Sequence, residues 1–332
     1  MHIIFFGSDP WFSPPVLKAL LKAGHEVPIV ITKGDAIGKG RRMKDEGRRK
    51  IQIIQAKRPN DISVNSLMSA FGLQLLESEP RSRRPSAFSL ARPDAIVLAA
   101  FGPPFLPAEI LNWPKYGCLN VHASLLPRWR GASPVFGAIV NGDKETGVSI
   151  MRMTEKVDRG PILGQVKTLI ESDLTRETLT KKLGILGSKL IVETLKKLEN
   201  GQINAVKQPS KSPTFYTHRL TKDSGRINWD LRPGETSSER SRRIERFIRA
   251  VTPWPGAWTE YRDEGRRTKD EGRRLKIFQA HLEFPPTPLS QHPNQQLTTN
   301  NQQLVIDFVQ LPGKNPISWK QFLAGHPNTK LE

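Results

Sequence analysis

The chain has 332 residues, with 51 Lys or Arg, 32 Asp or Glu, seven His and one Cys, giving a formal charge of +19 at pH 7. That length predicts two domains, and an apolar fraction of 37% can fill two cores. A lone Cys cannot close an intrachain disulfide, no run approaches the ~20 apolar residues that cross a bilayer, and the opening MHIIFFGSDPWF lacks a leader pattern; a soluble, cytoplasmic protein is expected. The charge divides as +11 over residues 1–205 and +8 over 206–332, so it is not a tail. It suits a polyanionic partner such as nucleic acid, or is simply a solvated basic surface.

Through residues 1–205 short apolar runs alternate with amphipathic segments, the pattern of strand-helix-strand units on a parallel sheet. Strands are expected at 2–6, 27–31, 73–77, 95–100, 118–122, 148–153 and 162–169. A helix is expected from Pro14 and Pro15 to Gly24, and further helices at 63–71, 133–140 and 175–199. The expected fold class is α/β, a Rossmann-like doubly wound domain. The hexapeptide KDEGRR at 44–49 recurs at 269–274, with a near copy at 262–267; copies this short and polar are read as inserted surface loops.

Residues 206–221 turn to Pro, Ser, Lys and Thr without periodicity and are read as a linker. Beyond them Ile244, Phe247, Ile248 and Val251 form one apolar face of a helix over 236–250. Arg242, Arg243, Arg246 and Arg249 fall largely elsewhere on that helix, as a solvated face or an RNA-facing patch. Strands at 257–261, 275–280 and 304–311 make a small β-rich domain, and the Pro-, Gln- and Asn-rich stretch 284–303 is read as a loop.

Several chemistries fail on spacing. Gly7-Ser8 lacks the three glycines of the dinucleotide fingerprint, GDAIGKG at 34–40 does not fit the P-loop pattern, and one Cys with scattered His offers no metal cluster. The informative segment is GCLNVHASLLPRWRG at 117–131. Asn120 and His122 are two apart at the end of an expected strand, so they share one face, and at the carboxyl edge of a parallel sheet that face opens onto a ligand crevice. A second segment, TGVSIMRMTEKVDRG at 146–160, brings Asp158 into a loop bounded by Gly160. A carboxylate that can orient an imidazole, with an amide donor beside it, makes an acid/base pair with an oxyanion stabiliser, although a His at a strand end is also commonly structural. Cys118 is read as a small buried hydrophobe rather than a nucleophile.

The run NVHASLLPRWRG, followed by GDKETGVSI and by Asp158-Arg159-Gly160, closely resembles the folate-dependent formyltransferases. The likeness spans nearly the whole chain, through FFGS, PPVLKAL, PDAIVLAAFG, TKDSGRINW, PWPGAW and GKNPISWKQFLAGH, and the strings of the second half point to the branch that acts on charged tRNA. It implies a catalytic domain over 1–205, a linker over 206–221 and a C-terminal OB-like β-barrel that binds tRNA over 222–332. It further implies 10-formyltetrahydrofolate as formyl donor, methionine esterified to initiator tRNA as acceptor, no metal, no membrane, and a monomer. Asn120, His122 and Asp158 correspond to the family's catalytic residues, and Ser124, Leu125, Leu126 and Pro127 to its donor-binding ones.

In the family a loop after the second strand enters the acceptor end of the tRNA; it matches residues 34–61, where Lys39, Arg41 and Arg42 would make the contacts. The usual Gly-Arg-Gly reads Gly38-Lys39-Gly40 here, which keeps the charge and loses the planar fork. The loop from Gly7 to Phe12 also carries one extra residue. The same Asn-His-Asp set serves sugar-nucleotide N-formyltransferases and glycinamide ribonucleotide formyltransferase; the long basic loop argues against the first and the second domain against the other. A non-catalytic RNA-binding module predicts broken catalytic positions, and all three are intact.

Overall fold

A computed structural model describes residues 1–32, 52–55, 92–102, 106–263, 273–284 and 302–332. They fall into two compact units: Met1–Pro134, Glu145–Leu169 and Leu179–His218 form the first, and Val135–Lys144, Ile170–Thr178 and Arg219–Glu332 the second. Among the described residues no helix is long and apolar enough to cross a membrane.

The first unit is built on a seven-stranded sheet of β1 (His2–Gly7), β2 (Glu26–Thr32), β3 (Gln52–Gln55), β4 (Ala95–Ala99), β5 (Cys118–His122), β6 (Glu145–Arg152) and β7 (Ile162–Leu169), in the order β3-β2-β1-β4-β5-β6-β7. Strands β1 to β5 pair in parallel, whereas β6 is antiparallel to both neighbours. The continuous apolar runs of β1 and β4 are buried on both faces, as parallel strands under two helix layers require. The chain leaves β1 towards β2 and β3, then returns to its other side for β4. That reversal opens a crevice beyond the carboxyl ends of the strands, and the register aligns them, with Gly7 beside Ala99 and Leu98 beside Asn120.

Helix α1 (Ser13–Lys22) carries prolines in its first turn and buries Val16, Leu17 and Leu20. The Asp9 carboxylate accepts the N–H groups of Trp11 and Phe12, both at 2.8 Å, and so holds the turn that leads into the helix. The short α2 (Ala108–Leu111) joins a core of Ile4, Phe6, Ile29, Ile31, Ile96, Leu98, Phe101 and Cys118. Helix α3 (Pro134–Asn141) falls almost wholly in the second unit, while α4 (Arg176–Glu199) buries Leu179, Leu183, Ile191 and Leu195.

The doubly wound α/β expectation holds. The expected strand at 73–77, the helix at 63–71, the KDEGRR copy at 44–49 and most of 262–274 lie outside the described residues, as does 285–301. One expectation is corrected: within the 34–61 segment read as a loop, Gln52–Gln55 pairs in parallel with β2 as the outer strand. Four residues are too few for a period to be read.

In the second unit β8 (Ala257–Asp263), β9 (Arg273–Glu283), β10 (Gln303–Gln310), β11 (Ile317–Ser318) and β12 (Thr329–Leu331) form an antiparallel sheet in the order β11-β10-β9-β8-β12. Helix α5 (Ser237–Val251) starts at a reciprocal capping box between Thr236 and Glu239, and α6 (Trp319–Gly325) at one between Ser318 and Gln321. The apolar face read from the spacing of α5 is the packed one: Ile244, Ile248 and Val251 share a core with Tyr261, Leu275, Ile277, Val309 and Phe322. The arginines of α5 are not a free stripe. Arg243 grips Glu235 at 2.8 Å, and Arg249 pairs with Glu245 one turn back.

Candidate active site

Asn120 and His122 sit on β5, facing the same side of the sheet as Cys118 by the two-residue period. Asp158 reaches them from an unexpected direction. Because β6 is antiparallel, with Arg152 beside Leu119 and Ser149 beside His122, the loop after β6 starts near the amino end of β5. It folds back over the sheet face. Gly160 permits that return, since a Cβ there would lie 1.7 Å from the carbonyl oxygen of Arg152.

The three side chains converge. The Asn120 amide Nδ2 donates to Asp158 Oδ1 at 3.4 Å, and His122 Nδ1 stands 3.8 Å from the same oxygen. The side chains of His122 and Asp158 are only 6% and 10% exposed, so water screens them little. The other carboxylate oxygen of Asp158 accepts the backbone N–H of Gly131 at 2.8 Å. His122 Nε2 lies 3.2 Å from the carbonyl oxygen of Trp129. A carbonyl can only accept, so the contact assigns the hydrogen to Nε2, and Nδ1 is the nitrogen that faces Asp158.

The loop from Ala123 to Gly131 is fixed from beneath. Ser149 Oγ donates to the Ser124 carbonyl at 2.7 Å and accepts the Leu126 N–H at 3.0 Å, while Gln165 Nε2 donates to the Leu126 carbonyl at 2.9 Å. Ser124 is fully buried and its hydroxyl donates to the Arg128 carbonyl at 2.7 Å. The Leu126 side chain is buried in a small core with Met151 and Ile162. Of the expected donor-binding residues, Ser124 and Leu126 therefore anchor the loop, whereas Leu125 and Pro127 are half-buried apolar groups. Amide and imidazole donors suit a carbonyl oxygen that gains charge, and the half-buried apolar pair suits a flat ring system. Lys39, Arg41 and Arg42 lie outside the described residues.

Three non-glycine residues have left-handed backbone among the described ones: Ala100, Trp129 and Asp158, with φ of +50°, +55° and +48°. Each costs on the order of 1–3 kcal/mol, which persists where the surroundings over-determine the geometry. Two of them supply the groups that face His122. Nothing in the residue pattern marks Trp129 and Gly131, because each acts through its backbone. Gln208 was missed too, lying in an aperiodic stretch; its amide donates to the carbonyls of Asp158 and Gly160 at 3.1 and 2.7 Å.

Cys118 is fully buried, and burial pushes its thiol up to about 12, so it is no nucleophile in the fold. No group of His, Cys, Asp and Glu among the described residues could hold a metal ion.

A doubly wound sheet with Asn120, His122 and Asp158 gathered at β5, followed by a β-rich unit, is the arrangement that the resemblance to formyl-transferring enzymes leads one to expect. The chain belongs to the formyl transferase family: residues 1–195 match the formyl transferase profile, and 219–327 match that of the formyl transferase C-terminal domain. Its relatives include methionyl-tRNA formyltransferase of Gluconobacter oxydans, 38% identical over 99% of this chain and 98% of the relative. Methionyl-tRNA formyltransferase of Caldanaerobacter subterraneus is 34% identical over 98% of this chain and 97% of its own. Among solved structures, methionyl-tRNA formyltransferase from Clostridium thermocellum shares the fold with a TM-score of 0.53 at 17% identity, covering 94% of this chain and 98% of that one. HypX from Aquifex aeolicus, solved with tetrahydrofolic acid, aligns with a TM-score of 0.56 at 14% identity over 98% of this chain and 48% of its own.

Proposed function

We propose that this chain transfers the formyl group of 10-formyltetrahydrofolate to the free α-amino group of methionine carried by initiator tRNA. The observation that carries the reading is the convergence of Asn120, His122 and Asp158, in a chain 38% identical over 99% of its length to a methionyl-tRNA formyltransferase. As the amine adds to the formyl carbon, negative charge grows on the formyl oxygen, and the Asn120 amide and the His122 Nδ1–H are the donors that meet it. Neither is tightly committed: the Asn120 bond of 3.4 Å is at the long limit, and the 3.8 Å gap at Nδ1 is too wide for a direct hydrogen bond. The reaction moves one proton from the attacking amine to the leaving nitrogen. His122 and Asp158 relay it, with Asp158 held in place by the Gly131 N–H.

In this reading Ser124, Leu125, Leu126 and Pro127 form the wall against the donor, and Lys39, Arg41 and Arg42 contact tRNA phosphates. Residues 1–205 are the catalytic domain, 206–221 join it to a tRNA-binding domain over 222–332, and the protein works as a cytoplasmic monomer apart from any membrane. The +19 charge supports a polyanionic substrate. The test is to supply 10-formyltetrahydrofolate and methionine-charged initiator tRNA and follow the formyl group. Transfer is expected, with a tRNA affinity that falls steeply with salt. No transfer to tRNA, together with turnover of an amino sugar nucleotide, would overturn the substrate; a flat salt response would overturn the electrostatic part.

A further inference from the structure

Arg130 is fully buried, yet among the described residues its guanidinium has no carboxylate partner. It is satisfied instead by a segment far along the chain. Nε and one terminal nitrogen donate to Gln208 Oε1 at 3.2 and 2.9 Å, the same terminal nitrogen reaches the Pro209 carbonyl at 2.8 Å, and the other lies 3.5 Å from the Ser210 carbonyl. Gln208 is 7% exposed and has no spare capacity: its oxygen takes the guanidinium while its NH2 donates to the carbonyls of Asp158 and Gly160. The amide cannot be flipped without facing donors with donors and carbonyls with a carbonyl. Buried polar groups satisfied so completely specify a geometry, because any slippage strands a charge or an amide away from water.

The two backbone segments this bridge joins carry the groups that face the catalytic pair. On one side of Arg130 the Trp129 carbonyl meets His122 Nε2, and on the other the Gly131 N–H meets Asp158 Oδ2. Across the bridge are the Asp158 and Gly160 peptide groups. The segment supplying Gln208 is pinned further by Thr217, whose N–H donates to the Arg130 carbonyl at 2.8 Å, and by Thr214, whose hydroxyl accepts the Trp129 N–H at 2.7 Å. Residues 206–218, read in the sequence as linker, thus pack with the first unit as a strap over the site loops.

We infer that Arg130 and Gln208 act as a positioning pair that sets the spacing of His122 and Asp158, an inference that rests on the proposed catalytic roles of those two residues. A misplacement of about 1 Å in a catalytic group costs ~100-fold in rate, so Gln208→Ala is expected to lower kcat by roughly that factor while leaving both KM values within about threefold. The His122 ring resonances, followed by NMR at fixed pH without any substrate, are expected to shift in the variant because the neighbouring Asp158 carboxylate moves. Arg130→Lys, which keeps the charge and loses the fork, should lie between wild type and Gln208→Ala. If Gln208→Ala does not fold, Gln208→Met, of similar volume and without the hydrogen bonds, decides the matter. A folded Gln208 variant with wild-type kcat and unmoved His122 ring resonances would overturn the positioning role. Inactivity of the wild-type protein itself would instead overturn the formyl-transfer reading, and shifted His122 ring resonances in the variant would still support the geometric claim.

Discussion

At Gly131 a close backbone approach coincides with the hold on Asp158, the proposed proton relay. Its φ is +107°, and a Cβ built on it would lie 2.2 Å from the carbonyl oxygen of Thr217 and 2.9 Å from its nitrogen, where real Cβ atoms keep at least 3.0 Å. In Gly131→Ala the loop and the strap must therefore part by about 0.8 Å. That separation stretches two bonds of 2.8 Å, from Thr217 N–H to the Arg130 carbonyl and from Ala132 N–H to the Thr217 carbonyl. It also draws the Gly131 N–H off Asp158, from which it now stands 2.8 Å. Backbone strain of ~1–3 kcal/mol and two weakened hydrogen bonds of ~1 kcal/mol each give an expected loss of about 3–5 kcal/mol in urea unfolding. Displacement of the Asp158 anchor adds a kcat loss of ~100-fold. Gly24→Ala is the control: its φ is +82° but nothing lies within 4 Å of the added Cβ, so only strain of ~1 kcal/mol is expected, with kcat unchanged. The reasoning fails if Gly131→Ala keeps both stability and kcat, or if Gly24→Ala impairs kcat as much.

The other predictions concern single groups. His122→Ala and Asp158→Asn should each lower formylation kcat by ~10²–10⁴-fold in a time course with saturating substrates, since an amide at 158 cannot accept from both Gly131 and Asn120; near-native rates would contradict the assignment. Hydrogen bonds from Arg243, then from the Arg232 N–H, hold the Glu235 carboxyl down at about 2 from an ordinary 4.5. A carboxyl lowered in the fold stabilises it above the ordinary value and loses that contribution as pH falls towards the folded one, so Glu235→Gln should flatten the stability loss between pH 4.5 and 2 in urea melts. Cys118, buried and with its thiol pushed up to about 12, should stay unlabelled by a thiol reagent in the native state and react once the chain is unfolded; rapid native labelling would show the strand open.

Much of the architecture was present in local pattern. The strands at Cys118–His122 and Ile162–Leu169 coincide with their apolar runs, and the apolar face of Ser237–Val251 follows from its spacing, because periodicity and burial report the same physical demand. Short or capped pieces were not legible. Ala108–Leu111 and Ile317–Ser318 are too brief for a period, and Trp319–Gly325 depends on its capping box.

At the site, the sequence by itself determined which residue types stand on one strand face: Asn120 and His122, two apart, have no other choice in extended chain. It also determined that a carboxylate and a glycine follow at 158 and 160. Only the tertiary structure decided that Asp158 arrives from the far end of β5, since the antiparallel sense of β6 is set by strand pairing and not by any residue on β6. Only the fold, likewise, could assign work to the Trp129 carbonyl, the Gly131 N–H and the Gln208 amide. Every residue has a backbone donor and acceptor, and an aperiodic stretch carries no period to read; what singles these groups out is that folding buries them within reach of His122, Asp158 and Arg130.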